Sequence, residues 1–276
     1  MLWGRYASRA SEARYPQLWQ GRVFGLCPSV QGPAGLNLYD TTGRGRHGIA
    51  ANVTTSTFWT RSQGQYAVEF DGTNDYVSAP NVQAFASGTQ LTASVWVKRN
   101  LAGAYYELIN KWLSTATSNE DGWLLRWDNG NKLLFTIANS GNYGQFQATS
   151  ANTSTTWNHV AVVHEFGSTA KTAIHLNGVA IAASWTTGGT QIPDSDATSS
   201  PITLAALRYQ GGPYNYLAGQ MDDVAVYSRL LTAGEIRLLA IRRGIAYEAR
   251  RDVLGGTSFS AYWARRQNQI IGGGVR

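Results

Sequence analysis

The sequence predicts an all-β protein: a two-sheet antiparallel sandwich of jelly-roll type, with one short helix near its end and two arginine-rich arms. Three observations point there. Thirty Gly, 14 Tyr and 10 Trp, with Thr, Ser and Asn at almost every break, make the composition of short strands joined by tight turns. Apolar and polar residues alternate at a period of two along many short runs. Gly, Asn and Asp collect between those runs, and the spacing suits about ten to a dozen strands.

The elements follow in chain order. Tyr66-Ala67-Val68-Glu69-Phe70 runs through Asp71-Gly72-Thr73-Asn74-Asp75 into Tyr76-Val77, a strand, a turn and a strand. In residues 91–98, Leu91, Ala93, Val95 and Val97 share one face while Thr92, Ser94, Trp96 and Lys98 share the other. Further strands are expected at 122–127, 132–138, 157–166, 173–176, 202–206 and 221–227. Breaks fall at Asp128-Asn129-Gly130-Asn131, 139–142, Asn177-Gly178, Gly188-Gly189 and Gly211-Gly212-Pro213. Thr232-Ala233-Gly234-Glu235 fits a Thr-x-x-Glu capping box; Ile236, Leu239 and Ala240 then share a helix face, and Gly244 offers a C-cap. No repeat of about 20 to 50 residues is visible, which argues against a solenoid or propeller.

Of the 276 residues, 43% are hydrophobic and only 14% charged, so a packed core is affordable and wholesale disorder is excluded. The net charge of +6 is unevenly spread. Residues 1–25 hold four Arg against one acid, and residues 237–276 hold eight Arg against two acids. The intervening body carries 11 basic and 14 acidic residues. The chain therefore divides into an N-terminal arm (1–25), a jelly roll (26–244) that is mildly acidic over residues 26–236, and a C-terminal arm (245–276). Cys27 is the sole cysteine, which excludes an intrachain disulfide framework and a Cys-based zinc site. No run approaches the roughly 18 apolar residues of a spanning helix, and residues 1–20 lack an apolar signal core. Membrane insertion and signal-led secretion are not expected.

The series Tyr39-Asp40-Thr41-Thr42-Gly43-Arg44-Gly45-Arg46-His47-Gly48, then Val68-Glu69-Phe70-Asp71-Gly72-Thr73-Asn74-Asp75-Tyr76-Val77, resembles the opening of concanavalin A-like, laminin G-type jelly rolls. Residues 91–97, Trp157-Asn158-His159-Val160-Ala161-Val162, Leu176-Asn177-Gly178 and residues 221–231 are similar to later strands of that family, in order. The resemblance covers roughly residues 36–240. It implies a sandwich with one concave sheet and leaves function to the site.

Catalytic chemistry finds little support. Glycosidases need two suitably spaced carboxylates. Glu69 and Asp71 share a strand face, but Thr73 and Asn74 stand where the family's hydrolases resemble a further acid, and Asp222 and Asp223 should point to opposite faces. His159 and His164 also fall on opposite faces, while His164 and His175 could meet across a turn as a polar pair. Calcium is the more plausible metal, because Asp222 should share its face with Val224 and Val226, where an uncompensated charge is costly. The resemblance implies a structural Ca²⁺ held by Asp222 and by loops around Asp40 or Asp71; turn capping by the same carboxylates is the alternative.

Glycan binding needs aromatic side chains available for sugar faces. Trp185, Tyr209, Tyr214 and Tyr216 are the candidates, with Trp112 and Tyr143 behind them. The arms mix arginine with aromatic residues, an interface composition. Arg5, Arg9, Arg14, Trp19, Arg250, Arg251, Trp263, Arg265 and Arg266 are the expected assembly contacts. No nucleic-acid recognition motif accompanies them, so nonspecific phosphate contact is the most they support. The expectation is a non-enzymatic, lectin-like structural protein of a bacteriophage virion, a capsid decoration or tail component with neighbouring virion proteins as partners. A free bacterial lectin or adhesin at the cell surface is the alternative.

Overall fold

Period-two alternation resolves into two antiparallel sheets in the computed structural model, which describes residues 6–7, 9–82, 89–114, 120–139, 142–187, 199–209 and 212–250. The chain divides into two units, Gly21–Gly244 and Met1–Gln20 together with Ile245–Arg276.

In the larger unit, one sheet has eight strands. Its order is β14 (Val179–Ala180), β13 (Ala173–Leu176), β12 (Asn158–Glu165), β7 (Gln90–Arg99), β19 (Ala218–Tyr227), β5 (Gln65–Asp71) and β4 (Trp59–Ser62), and β1 (Arg22–Leu26) also pairs with β19. The other sheet has nine: β15 (Ala183–Thr187), β11 (Asn142–Ala148), β10 (Leu133–Asn139), β9 (Glu120–Trp127), β8 (Tyr106–Ser114), β16 (Ile202–Leu204), β6 (Tyr76–Ala79), β3 (Gly48–Ala51) and β2 (Asn37–Leu38). β17 (Leu207–Tyr209) and β18 (Gly212–Tyr214) form a separate two-stranded ribbon. The core lies between the sheets. Phe70, Val95, Val97, Val160, Val162, Met221 and Val226 from one sheet meet Trp123, Leu125, Trp127, Phe135 and Ile137 from the other.

All the expected strands are present, and β1 to β4, β8, β11, β14, β15, β17 and β18 are additional. β1 lies inside the segment read from the sequence as an arm; the sheet begins at Arg22, because Phe24 and Leu26 are core residues. The expected break at 139–142 lies between β10 and β11, with Asn139 paired to Asn142. Two single-turn helices, α1 (Pro28–Gln31) and α2 (Thr55–Phe58), precede the expected helix α3 (Ala233–Leu239), which begins with both capping-box hydrogen bonds in place and has Ala240 rather than Gly244 as its C-cap.

A bulge in β19 overturns one expectation. Asp223 adopts φ +45°, and the register of β19 against β7 shifts between Asp222 and Ala225. β19 pairs with β5 before this point and with β1 after it. Met221, Val224 and Val226 all face the core, so Asp222 falls on the opposite face, opposite Trp96. Its charge has partners there. Asp222 Oδ1 accepts from the backbone N–H of Ser29 (3.0 Å) and of Asp223 (2.8 Å), while Oδ2 faces Arg243 Nη1 at 3.4 Å. Asp223 faces Arg22 at 3.7 Å and accepts from Gly244 N–H at 2.9 Å. The two carboxylates and two guanidiniums are all buried. Burial, reinforced by the neighbouring Asp223 charge, still pushes the Asp222 carboxyl up to about 7.

The smaller unit pairs its two segments. Tyr6 bridges Glu248 and Ala13 bridges Ala249, both antiparallel. Trp19 packs edge-on against Tyr247, with ring centroids 5.4 Å apart, and its indole N–H donates to Ala246 O at 2.7 Å.

Candidate functional site

The nine-stranded sheet turns Trp123, Leu125, Trp127, Phe135 and Ile137 inward, so alternation turns the intervening residues of β8, β9 and β10 outward. A bulge between Glu107 and Ile109 shifts β8 by one residue and puts Glu107, Asn110 and Trp112 on that outer face. Cross-strand register then sets three rows. Glu107 lies opposite Arg126, followed by Leu134 and Gln147. Asn110 lies opposite Leu124, followed by Thr136 and Gln145. Trp112 lies opposite Gly122, followed by Ala138 and Tyr143. Gly122 has φ +111°, a conformation that suits glycine, and it leaves no side chain on the strand beside the indole.

At one end of this face the polar groups meet tyrosines. The Arg126 guanidinium lies 4.9 Å from the centre of the Tyr105 ring, and its Nη1 is 3.3 Å from Glu107 Oε1. Glu107 is fully buried. Burial pushes its carboxyl up to about 7, although Arg126 and the Asn215 side chain favour the charged form. Asn215 is flanked by Tyr214, 57% exposed, and by Tyr216; Tyr105 is 39% exposed. Burial, with Tyr76 as a neighbour, raises the Tyr216 hydroxyl above its usual value. Asp128, next on β9 beyond Arg126, spends its carboxylate locally: Oδ1 accepts from Lys132 N–H at 2.8 Å and Oδ2 from Gln147 Nε2 at 2.6 Å.

The middle of the face lies beneath the ribbon. Leu207 of β17 packs with Trp112, Leu124 and Ala138 as a small apolar cluster apart from the main core, and Asn110 Nδ2 donates to Ala206 O at 2.7 Å. Among the described residues, five buried polar atoms here have no hydrogen-bond partner: Glu107 Oε2, Arg126 Nε, Asn110 Oδ1, Trp112 Nε1 and Thr136 Oγ1. A buried polar group left without a partner typically costs about 1–3 kcal/mol. A sheet face carrying several is expected to owe them to a ligand or to water.

The structure gathers Trp112, Tyr143, Tyr214 and Tyr216 around this sheet face and its rim, and leaves Trp185 elsewhere. Trp185 packs against Phe146 (5.2 Å) and His164 (6.1 Å), turned toward the core. Tyr209 belongs to β17, and its side chain lies outside the described residues. Tyr105, Glu107, Asn110, Arg126 and Thr136 were not singled out in the sequence. The three calcium candidates do not form a metal site. Asp40 accepts from Thr42 N–H and Oγ1 and from Arg46 N–H, and Asp71 accepts from Thr73 and Asn74 N–H. Asp222 already faces Arg243. Among the described residues no group of three or more His, Cys, Asp or Glu side chains could hold a metal ion.

Glu69 and Asp71 lie on β5 of the opposite sheet, with Glu69 accepting from Gln220 Nε2 at 2.6 Å. His164 does not meet His175. It is a core residue, 5.3 Å from Phe135 and 4.9 Å from Phe166, whereas His175 pairs with Ala161 on the face of His159. Of the arm residues, Arg9 pairs with Glu12 and Arg14 with Glu248, and the Trp19 indole donates to Ala246 O. Arg250 donates its backbone N–H to Glu12 O. Arg5, Arg251, Trp263, Arg265 and Arg266 lie outside the described residues.

A family model described as the concanavalin A-like lectin/glucanases superfamily matches residues 71–237. The chain belongs to this superfamily. No curated protein sequence matches it. Among solved structures, this lectin-like jelly roll is similar to the binding domain of Paraclostridial Mosquitocidal Protein 1, with 16% identity and a TM-score of 0.59, over 81% of this chain and 52% of that one. It is similar to the binding domain of botulinum neurotoxin DC in complex with SialylT, with 15% identity and a TM-score of 0.56, over 81% and 52%. It also resembles Trypanosoma rangeli sialidase in complex with sialic acid, with 16% identity and a TM-score of 0.52, over 80% and 33%. The chain thus spans about half the length of the toxin binding domains and a third of the sialidase. These likenesses establish the fold.

The raised Glu107 carboxyl has a signed consequence. Between about pH 4.5 and 7 the folded state holds a proton that the unfolded state releases, so this group's contribution to stability falls as pH rises through that window. Glu107→Gln removes the titration. The melting temperature of E107Q relative to wild type is expected to climb across the window; a relative decline would mean that Glu107 is held ionised.

Proposed function

We propose that this chain is a non-enzymatic carbohydrate-binding jelly roll, carried in a larger assembly by residues 1–20 and 245–276. The observation behind the binding reading is the meeting of exposed Tyr105 and Tyr214 with the Glu107–Arg126 pair and Asn215 on one sheet face. Tyrosine offers an apolar face to the C–H side of a sugar, while carboxylate, guanidinium and amide groups exchange hydrogen bonds with its hydroxyls. The sugar-bound toxin domain and sialidase share this fold, which supports the same reading. The non-enzymatic reading rests on Asp128, whose two oxygens are committed to Lys132 and Gln147, leaving no obvious second catalytic carboxylate beside Glu107.

The assembly we propose is a bacteriophage virion, with the chain as a capsid decoration or tail component beside other virion proteins. Its support is the arginine and aromatic composition of the two arms. A free bacterial lectin is the second reading, favoured by the use of Trp19 and Arg14 inside the smaller unit.

Two experiments test these readings. On a printed array of neutral and sialylated oligosaccharides, the full chain is expected to bind, and the Tyr105→Ala, Tyr214→Ala double variant to lose about tenfold or more in affinity, roughly 1.4 kcal/mol. Binding by neither would refute the carbohydrate reading. Deleting residues 1–20 and 245–276 is expected to remove the protein from purified particles while the strand circular-dichroism signal persists; continued incorporation would refute the anchoring role.

A further inference from the structure

We propose that Asn129 is a site of spontaneous covalent modification: its side chain condenses with the backbone nitrogen of Gly130 to a cyclic imide, which water opens to aspartate or isoaspartate. In the first step the Gly130 nitrogen bonds to Asn129 Cγ, the bond from Cγ to the side-chain nitrogen breaks, and that nitrogen leaves as ammonia with the Gly130 proton. In the second, water cleaves one of the two imide carbonyl bonds to nitrogen. Cleavage at Cγ restores the backbone and leaves aspartate; cleavage at the main-chain carbonyl routes the chain through Cγ, one methylene longer, as isoaspartate. Water is the only co-reactant, and the modification does not depend on what the chain binds.

Glycine after asparagine favours this attack, because no Cβ shields its nitrogen. The sequence holds two such pairs, Asn129-Gly130 and Asn177-Gly178, and the fold treats them oppositely. Asn131 N–H donates to Asp128 O at 3.0 Å, so Asn129 and Gly130 are the central residues of the turn between β9 and β10, and both are exposed. Among the described residues no hydrogen bond holds the Asn129 amide or the Gly130 N–H, so the amide can rotate onto the nitrogen. Asn177 is locked instead. Its Oδ1 accepts from His159 N–H at 2.9 Å, and its Nδ2 donates to Asn158 Oδ1 at 3.1 Å. Gly178 is buried against α3, where an added Cβ would lie 3.0 Å from Ala240 Cβ. Attack there would first have to break both side-chain hydrogen bonds.

The turn is pinned on either side of the reactive pair. Asp128 N–H donates to Lys132 O at 2.9 Å, and Asp128 Oδ1 accepts from Lys132 N–H at 2.8 Å. Asn131 Oδ1 accepts from Arg99 Nη1 at 3.2 Å and from Gly103 N–H at 2.8 Å, while Asn131 O accepts from Asn152 N–H at 2.7 Å. Arg99 is fully buried; its guanidinium lies 4.2 Å from the centre of the Trp127 ring, and its Nη2 donates to Asn152 O. One extra methylene between residues 129 and 130 therefore displaces Asn131 and takes a partner from a buried charge. Aspartate at the same position adds an exposed charge and leaves the backbone length unchanged.

The test ages the full chain in mildly alkaline buffer beside Asn129→Ser, which has no side-chain amide, and compares both with fresh Asn129→Asp, which carries the charge without the longer backbone. Trypsin cuts after Arg126 and Lys132 and isolates residues 127–132 for mass spectrometry. In folded wild type this peptide is expected to convert to separable aspartate and isoaspartate forms while Asn177 stays intact; in denaturant both asparagines are expected to react. An Asn129 that stays unmodified in the folded protein, or an Asn177 that reacts as fast, would overturn the site. Aged wild type is expected to melt about 2–4 °C below fresh wild type, whereas aged Asn129→Ser and fresh Asn129→Asp match fresh wild type. Converted wild type that melts with the fresh protein, or an equal loss in fresh Asn129→Asp, would overturn the link from the turn to Arg99.

Discussion

A buried charge needs partners to offset its lost hydration, and each sheet of this sandwich holds a buried carboxylate facing a guanidinium. In the eight-stranded sheet, Asp222 and Asp223 face Arg243 and Arg22 at the bulge of β19. Arg22 arrives on the first strand, Arg243 follows α3, and Gly244 closes onto Asp223, so one cluster fixes where the chain enters and leaves the sandwich. In the nine-stranded sheet, Glu107 meets Arg126. Around Asp222 the protein supplies backbone N–H groups to Oδ1 and a guanidinium facing Oδ2. Around Glu107, donors and acceptors are left over beside exposed tyrosines, and that surplus gives the face its chemistry.

The frame was legible in the sequence wherever one strand face was apolar throughout. Leu91, Ala93, Val95 and Val97 announce β7, and the Thr232 to Glu235 box announces α3. The central strand of the site was not. In β8, Glu107, Asn110 and Lys111 are all buried, and the bulge after Glu107 breaks the period of two. A strand with buried polar groups on both faces looks like a loop when only alternation is read. Asp222 failed for the same reason: a bulge moved it to the opposite face, where Arg243 is the counter-ion the spacing could not reveal. Tyr214 and Tyr216 were visible as loop aromatics, but Tyr105 and Arg126 become significant only through the register of β8 on β9.

The basic character of the chain belongs mainly to its ends. Within the smaller unit, Arg9 and Arg14 pair with Glu12 and Glu248, and Trp19 closes onto Tyr247. Part of the arm chemistry therefore joins the N-terminal segment to the C-terminal one. The body of the protein, in which acids outnumber bases, presents a tyrosine-lined face whose local Glu107–Arg126 pair is charge-balanced when both groups are ionised. Attachment and recognition are thereby assigned to different residues.

The most direct measurement follows the Trp112 indole N–H by ¹⁵N-correlated NMR while an array-positive oligosaccharide is titrated into the full chain. The account predicts that this resonance shifts together with the amides of β8 and β9, because Trp112 shares the sheet face of Glu107 and Arg126. A saturable titration that moves only resonances of the eight-stranded sheet would contradict it.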